Sequence, residues 1–435
     1  MLLKHSIPKC FTLGILLFAY RQIYAADVAI GAIPDDTSLR LELKERWLTG
    51  SPQTVRRNNP SMHTLSAGGR VQVRGESRGN EFMVVFAREY NGAYPGWAQG
   101  SWVYFRALDS GDALRLRIFP RSDPTAYLQL QPLSGDKCRL DMVIQEAYLV
   151  RGLALGIPFE RLLTMPLSEV FRAAGDQLPL RYFDIDSARY ADSRSFVSKV
   201  RGGLGALEFR DDGAVDENGN YVFIESLEPQ GPAAGLNCSG FAKWIVDGIL
   251  RPVTGRRLAI TPLKAPAAGR TSSLTENFSG QDPLFGLDWT RNLALEAARV
   301  LRGNTASTLE EVEVRTGRFA STIDRERGGA VIRNYPAYLS GAGFSPEGLR
   351  ALLYTLAVDE PNVIYLASVS EEGSVPRMRR HYHIAVLVPY FSANGVFQIA
   401  VFESAEETAI NGFIGRHPNA LINLVRVPVE GSFSP

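Results

Sequence analysis

Gly235-Leu236-Asn237-Cys238-Ser239-Gly240-Phe241-Ala242-Lys243-Trp244 places a cysteine where a glycine-flanked turn runs into a helix-patterned segment. Phe241, Trp244, Ile245 and Ile249 recur there at helical spacing. The first N–H groups of a helix have no intrahelical acceptor, and the helix dipole adds positive potential at the same end. Both stabilise a thiolate, so Cys238 reads as a nucleophile in need of an imidazole. The histidines available are His5, His63, His381, His383 and His417. Two of them head a strand-like run, His381-Tyr382-His383-Ile384-Ala385-Val386-Leu387.

Strict strand alternation puts His381, His383, Ala385 and Leu387 on one face. His383 lies nearer the strand body and is the candidate catalytic histidine, with His381 as a neighbour or substrate contact. The next run, Val396 to Glu403, offers Gln398 and Glu403 to orient the imidazole. They differ by five positions and face opposite sides, so only one can reach His383. Glu403, at the strand end, is preferred, with Gln398 second. Ser239, beside the thiol, stands with His381 and Gln398 as a candidate substrate contact.

Other readings of the same residues remain. Cys238 could pair with Cys138 in an oxidising compartment, or be a buried structural thiol. A metal site is not expected, because the two strand histidines lack a nearby carboxylate or third histidine. No cofactor is implied. Gly343-Phe344-Ser345-Pro346-Glu347-Gly348 fits a serine nucleophile elbow poorly, since the second glycine falls one place late and Ser345-Pro346 suits a helix start.

The chain has 435 residues, enough for two or three domains. Its 47 basic and 46 acidic residues nearly cancel, and no basic cluster is interleaved with aromatics, which argues against a nucleic-acid partner. Lys4 and Lys9 precede or flank the apolar run Cys10 to Tyr20, and Ile23-Tyr24-Ala25 before Ala26-Asp27 makes a cleavage site. Residues 1–25 therefore read as a signal peptide, too short in its apolar part for a stable membrane span. The expected location is the periplasm or cell envelope. Residues 26–150 read as a β-rich domain, with Ser38 to Leu43 and Arg70 to Val73 among its alternating runs. Trp47, Trp97 and Trp102 with Tyr90 and Tyr94 are either core or a glycan-binding surface. Residues 139 to 175 read as mainly helical.

Asn237-Cys238-Ser239-Gly240-Phe241 resembles the Asp-Cys-Ser-Gly-Phe signature of the NlpC-type, papain-like cell-wall peptidases. His383-Ile384-Ala385-Val386-Leu387 is similar to that family's histidine strand. Tyr221, seventeen residues before Cys238, sits about where the family has a tyrosine that assists the oxyanion. The resemblance covers short islands within 221 to 404. It implies an α+β fold in which the cysteine starts a helix packed on an antiparallel sheet. It also implies hydrolysis of amide bonds in peptidoglycan stem peptides by an exported cysteine peptidase or amidase. The interval of 145 residues between Cys238 and His383 exceeds the family's norm, so about 255–345 reads as an insertion within a domain spanning 151–435. Asn237 stands in place of the usual acid, and Glu403 would be an unusual third residue. The alternatives are a Cys–His amidohydrolase or acyltransferase on another envelope substrate, or a non-catalytic envelope-binding protein with the same fold.

Overall fold

The computed structural model describes residues 33–65, 68–267, 282–303, 305–316, 321–324, 331–334, 338–373 and 379–435. The expected signal peptide, residues 1–25, lies outside them. Among the described residues, two large antiparallel sheets, a two-stranded hairpin and seven α-helices of more than one turn make an α+β architecture.

The N-terminal part is a meander in which each strand pairs with the next. Its strands are β1 (Ser61–Thr64), β2 (Arg70–Arg78), β3 (Glu81–Arg88), β4 (Trp102–Ala107), β5 (Ala113–Ile118), β6 (Ala126–Pro132), β7 (Cys138–Ile144) and β8 (Ala147–Leu155). Residues 139–155 are thus strands, contrary to the helical expectation. The turn between β7 and β8 is Gln145-Glu146, both at positive φ (48° and 67°). Two left-handed residues match the right-handed twist of a hairpin, but neither is the glycine or asparagine that normally signals one. Ser38 to Leu43 also departs from expectation, falling in helix α1 (Thr37–Glu42), where consecutive Leu39 and Arg40 are both buried. Trp47 and Trp102 are core residues rather than a glycan surface, and Tyr90 stacks edge-on with Trp97.

Helices α2 (Leu167–Ala174) and α3 (Ala191–Leu204) lead to a hairpin of β9 (Gly213–Val215) and β10 (Tyr221–Phe223). Next come α4 (Cys238–Thr254) and α5 (Phe285–Leu301). Strands β11 (Ser321–Asp324) and β12 (Val331–Asn334) extend the first sheet by pairing beside β8. Then follow α6 (Leu349–Asp359), β13 (Val363–Glu372), β14 (Arg379–Phe391), β15 (Phe397–Glu403), β16 (Glu406–Thr408), α7 (Ile410–Arg416) and β17 (Leu421–Pro428). The second sheet has the order β16-β15-β14-β13-β17, and α4 and α5 pack against it.

Apart from β11 and β12, the described part of the segment expected as an insertion packs with the second sheet. The Trp289 indole of α5 donates to the Ser239 carbonyl of α4 at 2.9 Å. Glu313, fully buried, accepts from Arg291 of α5 and the Tyr338 hydroxyl, and from Asn423 of β17. Val314 N–H bonds to the Leu424 carbonyl. A buried carboxylate this well satisfied ties the segment to the sheet, and removing one partner would leave it exposed to its full desolvation cost. The two sheets also meet: Arg121, after β5, donates to the Tyr354 hydroxyl of α6 and to the Gly395 carbonyl between β14 and β15.

Candidate active site

Asn237 caps α4. Its backbone is extended and its side-chain oxygen accepts the Gly240 N–H at 2.8 Å, so Cys238 is the first residue of the helix. An asparagine caps as well as the acid of the family signature, without adding a negative charge beside the thiol. The Asn237 N–H bonds to the Gly213 carbonyl of β9. A Cβ on Gly240 would come within 2.0 Å of that same oxygen. Glycine at 240 therefore lets the helix start rest directly on β9, and backbone contacts set where the thiol lies. One turn on, buried Lys243 donates to the Val215 carbonyl of β9 at 2.8 Å and to Asp247 at 2.7 Å, locking the helix rotation.

His383 lies where β14 has run past the end of β15, whose pairing stops at Phe402 opposite Val386. Glu403 is the last residue of β15, and Ser404-Ala405 (φ 49° and 67°) turn the chain tightly into β16. That hairpin brings Thr408 back to donate to Glu403 Oε1 at 2.7 Å, and Arg416 of α7 donates to the same oxygen. The other oxygen, Oε2, is 2.7 Å from His383 Nε2. With Nε2 so occupied, Nδ1 of His383 is the nitrogen left for the hydrogen bond to Cys238.

Burial acts to raise the Cys238 pKa. The hydrogen bond and charge of His383, the Ile384 N–H and the Ser239 side chain outweigh it and hold the thiol below its ordinary value. Burial acts to lower the His383 pKa, but bonding and attraction from Cys238 and Glu403 lift it to about 9. Burial pushes Glu403 up, yet His383, Thr408 and Arg416 bring it down to about 2. At neutral pH His383 and Glu403 therefore form an imidazolium–carboxylate pair, and that cation biases the Cys238 thiol toward its thiolate.

The two strand histidines differ sharply. The β13–β14 register shifts between Val369 and Ser370, which pair with His383 and His381 respectively and leave Tyr382 as the extra residue. Val369 and Ser370 point to opposite faces, and so do their partners, against the expectation of a shared face. His381 is buried, held by Ser368 at Nδ1 and the Gly341 carbonyl at Nε2. Burial drops its pKa to about 4, so it is a neutral structural residue.

Gln398 is also outside the site. It pairs with Tyr390, five residues up β15 from Glu403 and roughly 17 Å along the strand. There it lines a cavity of about 560 Å³ with Arg201 and Glu407. Ser239 is buried and supports the thiol. Tyr221, on β10 beside β9, has no hydrogen bond to Cys238 or His383 among the described residues. The disulfide reading fails, because Cys138 and Cys238 are both free thiols.

His417 escaped the reading of the sequence. Its ring stacks on His383, with centroids 5.6 Å apart and planes at 25°. Its Nδ1 is 2.7 Å from the Tyr382 hydroxyl. One ligand atom each from His383, Glu403 and His417 lie within 4.8 Å of one another. The carboxylate and third histidine missing from the sequence neighbourhood are thus supplied by tertiary contact. The only local signal is a histidine closing a short helix before Pro418.

Among known proteins, the chain matches a family described as a domain of unknown function (DUF8515) over residues 30–182, which covers β1 to β8 and α2 but none of the site. No curated protein and no solved structure matches the chain. No helix among the described residues is long and apolar enough to cross a membrane.

Proposed function

We propose that this protein is a cysteine-dependent amide hydrolase, a divergent papain-like peptidase or amidase of the NlpC type, exported to act on peptidoglycan stem peptides. One observation carries the chemistry. A thiol at the capped N-terminus of a long helix is electrostatically coupled to an imidazole whose Nε2 lies 2.7 Å from a buried carboxylate. The substrate class rests on the resemblance around Cys238 and His383 and on the signal-like N-terminus.

In the proposed reaction Sγ of Cys238 attacks the amide carbonyl carbon. The oxyanion is met by the Cys238 N–H, which has no intrahelical acceptor at the first turn. His383 passes its Nδ1 proton to the leaving amine as the C–N bond breaks, giving an acyl-enzyme. A water, deprotonated by the now neutral His383, then attacks the acyl carbon, and breaking of the C–S bond releases the acid and restores the thiolate and imidazolium. Glu403 holds the ring through Nε2 and stabilises the imidazolium, and Arg416 and Thr408 hold Glu403.

The test is digestion of purified peptidoglycan by the mature protein beside its Cys238→Ala variant, with mass analysis of the released fragments. Fragments that vanish in the variant support the reading and identify the bond. Intact peptidoglycan with both proteins, together with a Cys238 inert to alkylation in the folded state, favours an envelope-binding protein instead.

A further inference from the structure

We infer that His383, Glu403 and His417 form a site for one divalent transition-metal ion, of the Zn²⁺ class, whose occupation switches the cysteine chemistry off. The binding site stands on its own geometry, while the inhibitory consequence rests on the proposed Cys238–His383 mechanism.

Three ligand atoms of a two-histidine, one-carboxylate set lie within 4.8 Å of one another, and this donor set suits zinc with a fourth position open. Each residue is also held from behind at its other polar atom, as metal ligands usually are. Nδ1 of His417 faces the Tyr382 hydroxyl at 2.7 Å. If that nitrogen carries the proton, Nε2 presents a lone pair, and this buried Nε2 has no hydrogen-bond partner. His383 is coupled to the Cys238 thiol, and Oε1 of Glu403 is held by Thr408 and Arg416. That leaves Nε2 of His383, Nε2 of His417 and Oε2 of Glu403 for the ion. The Arg416 cation beside the carboxylate works against binding and limits its affinity.

Proton and metal compete for one place. In the catalytic form a proton bridges Nε2 of His383 and Oε2 of Glu403. Coordination forms metal–nitrogen and metal–oxygen bonds there and releases that proton to solvent. The ring and the carboxylate are then tied to the ion rather than to each other, so Glu403 no longer orients the His383 ring toward Cys238.

Calorimetric titration of the full chain with Zn²⁺ tests this, with iodoacetamide labelling of Cys238 run in parallel. The expected result is one bound ion per chain and slower labelling when it is bound. Cys238→Ala should keep the ion, His417→Ala should lose it at least about tenfold, and Tyr382→Phe should weaken it about tenfold. The Tyr382→Phe arm, with far-ultraviolet circular dichroism on each variant, covers the case in which His417→Ala does not fold. Co²⁺ loaded into the site should give visible ligand-field bands without an intense sulfur-to-cobalt charge-transfer band. Binding indifferent to both His417 and Tyr382, or lost with Cys238, overturns the site. Zn²⁺ that accelerates amide hydrolysis, retained in Cys238→Ala, overturns the inhibitory role and the cysteine mechanism together. Zn²⁺ bound as expected by a protein that releases no peptidoglycan fragments keeps the site and removes only the peptidase reading.

Discussion

Cys138 opens a strand of the N-terminal meander and Cys238 opens a helix laid on the C-terminal sheet. Cys138 faces only apolar core, and burial pushes its pKa up to about 11. Cys238 is also desolvated, but His383, the Ile384 N–H and Ser239 reverse the effect. Burial alone makes a thiol inert, whereas burial with a cationic partner and aligned N–H groups makes it a nucleophile. The same contrast recurs over two residues of β14. His381, buried and with the Arg291 and Arg379 cations nearby, falls to about 4, and His383, between a thiol and a carboxylate, rises to about 9.

The largest effect that would break this contrast is removal of the nucleophile. Cys238→Ala is expected to reduce amide hydrolysis by about 10⁴-fold or more with the circular dichroism spectrum unchanged. Next, His383→Gln should slow iodoacetamide labelling of Cys238 at pH 6 roughly 100-fold, because the thiol returns toward its ordinary value of 9. In the unmodified protein that labelling should stay fast well below pH 9. Glu403→Gln should lower hydrolysis about 100-fold and bring the alkaline limb of its pH profile below about 9, since His383 loses a stabilising anion. An unchanged alkaline limb would mean that Glu403 does not act on His383.

The charged His383–Glu403 pair also links stability to pH. His383 is raised from 6.5 and Glu403 lowered from 4.5, so both contributions are fully present between about pH 4.5 and 6.5. The first is lost as pH rises through about 9, and the second as pH falls toward about 2. Urea titrations across pH should show this plateau flatten in Glu403→Gln.

Smaller changes sharpen the structural side. Gly240→Ala should cost about 1–3 kcal/mol in urea unfolding, because its methyl would press on the Gly213 carbonyl and lift the helix start. Labelling of Cys238 should slow with it. Cys138→Ala should cost only about 1 kcal/mol and leave Cys238 labelling unchanged. A Cys138 variant that altered labelling would end the view that the two thiols are independent.

Where the signal was local, the sequence was legible. Asn237 through Trp244 read correctly as a helix start because capping, glycine and helical spacing all act within one or two turns. The His381 to Leu387 run and the run ending at Glu403 likewise read as strands and are strands. Glu403 was reachable because it ends the strand next to the histidine strand. The failures share a cause. The β7–β8 hairpin hides its turn in Gln145-Glu146, and the bulge at Tyr382 has no composition of its own to mark it.

What the sequence determined by itself is the helix-borne thiol and the strand that carries the imidazole, since each follows from short-range backbone preferences, while the α+β class was an expectation from the family resemblance. Only the tertiary structure decided which histidine faces the thiol, that Glu403 rather than Gln398 holds it, and that Arg416 and His417 complete the cluster. Those choices depend on strand register, on a one-residue bulge and on contacts between elements far apart in the chain. Local propensity does not encode them, and a shift of one residue reverses the face that each side chain takes.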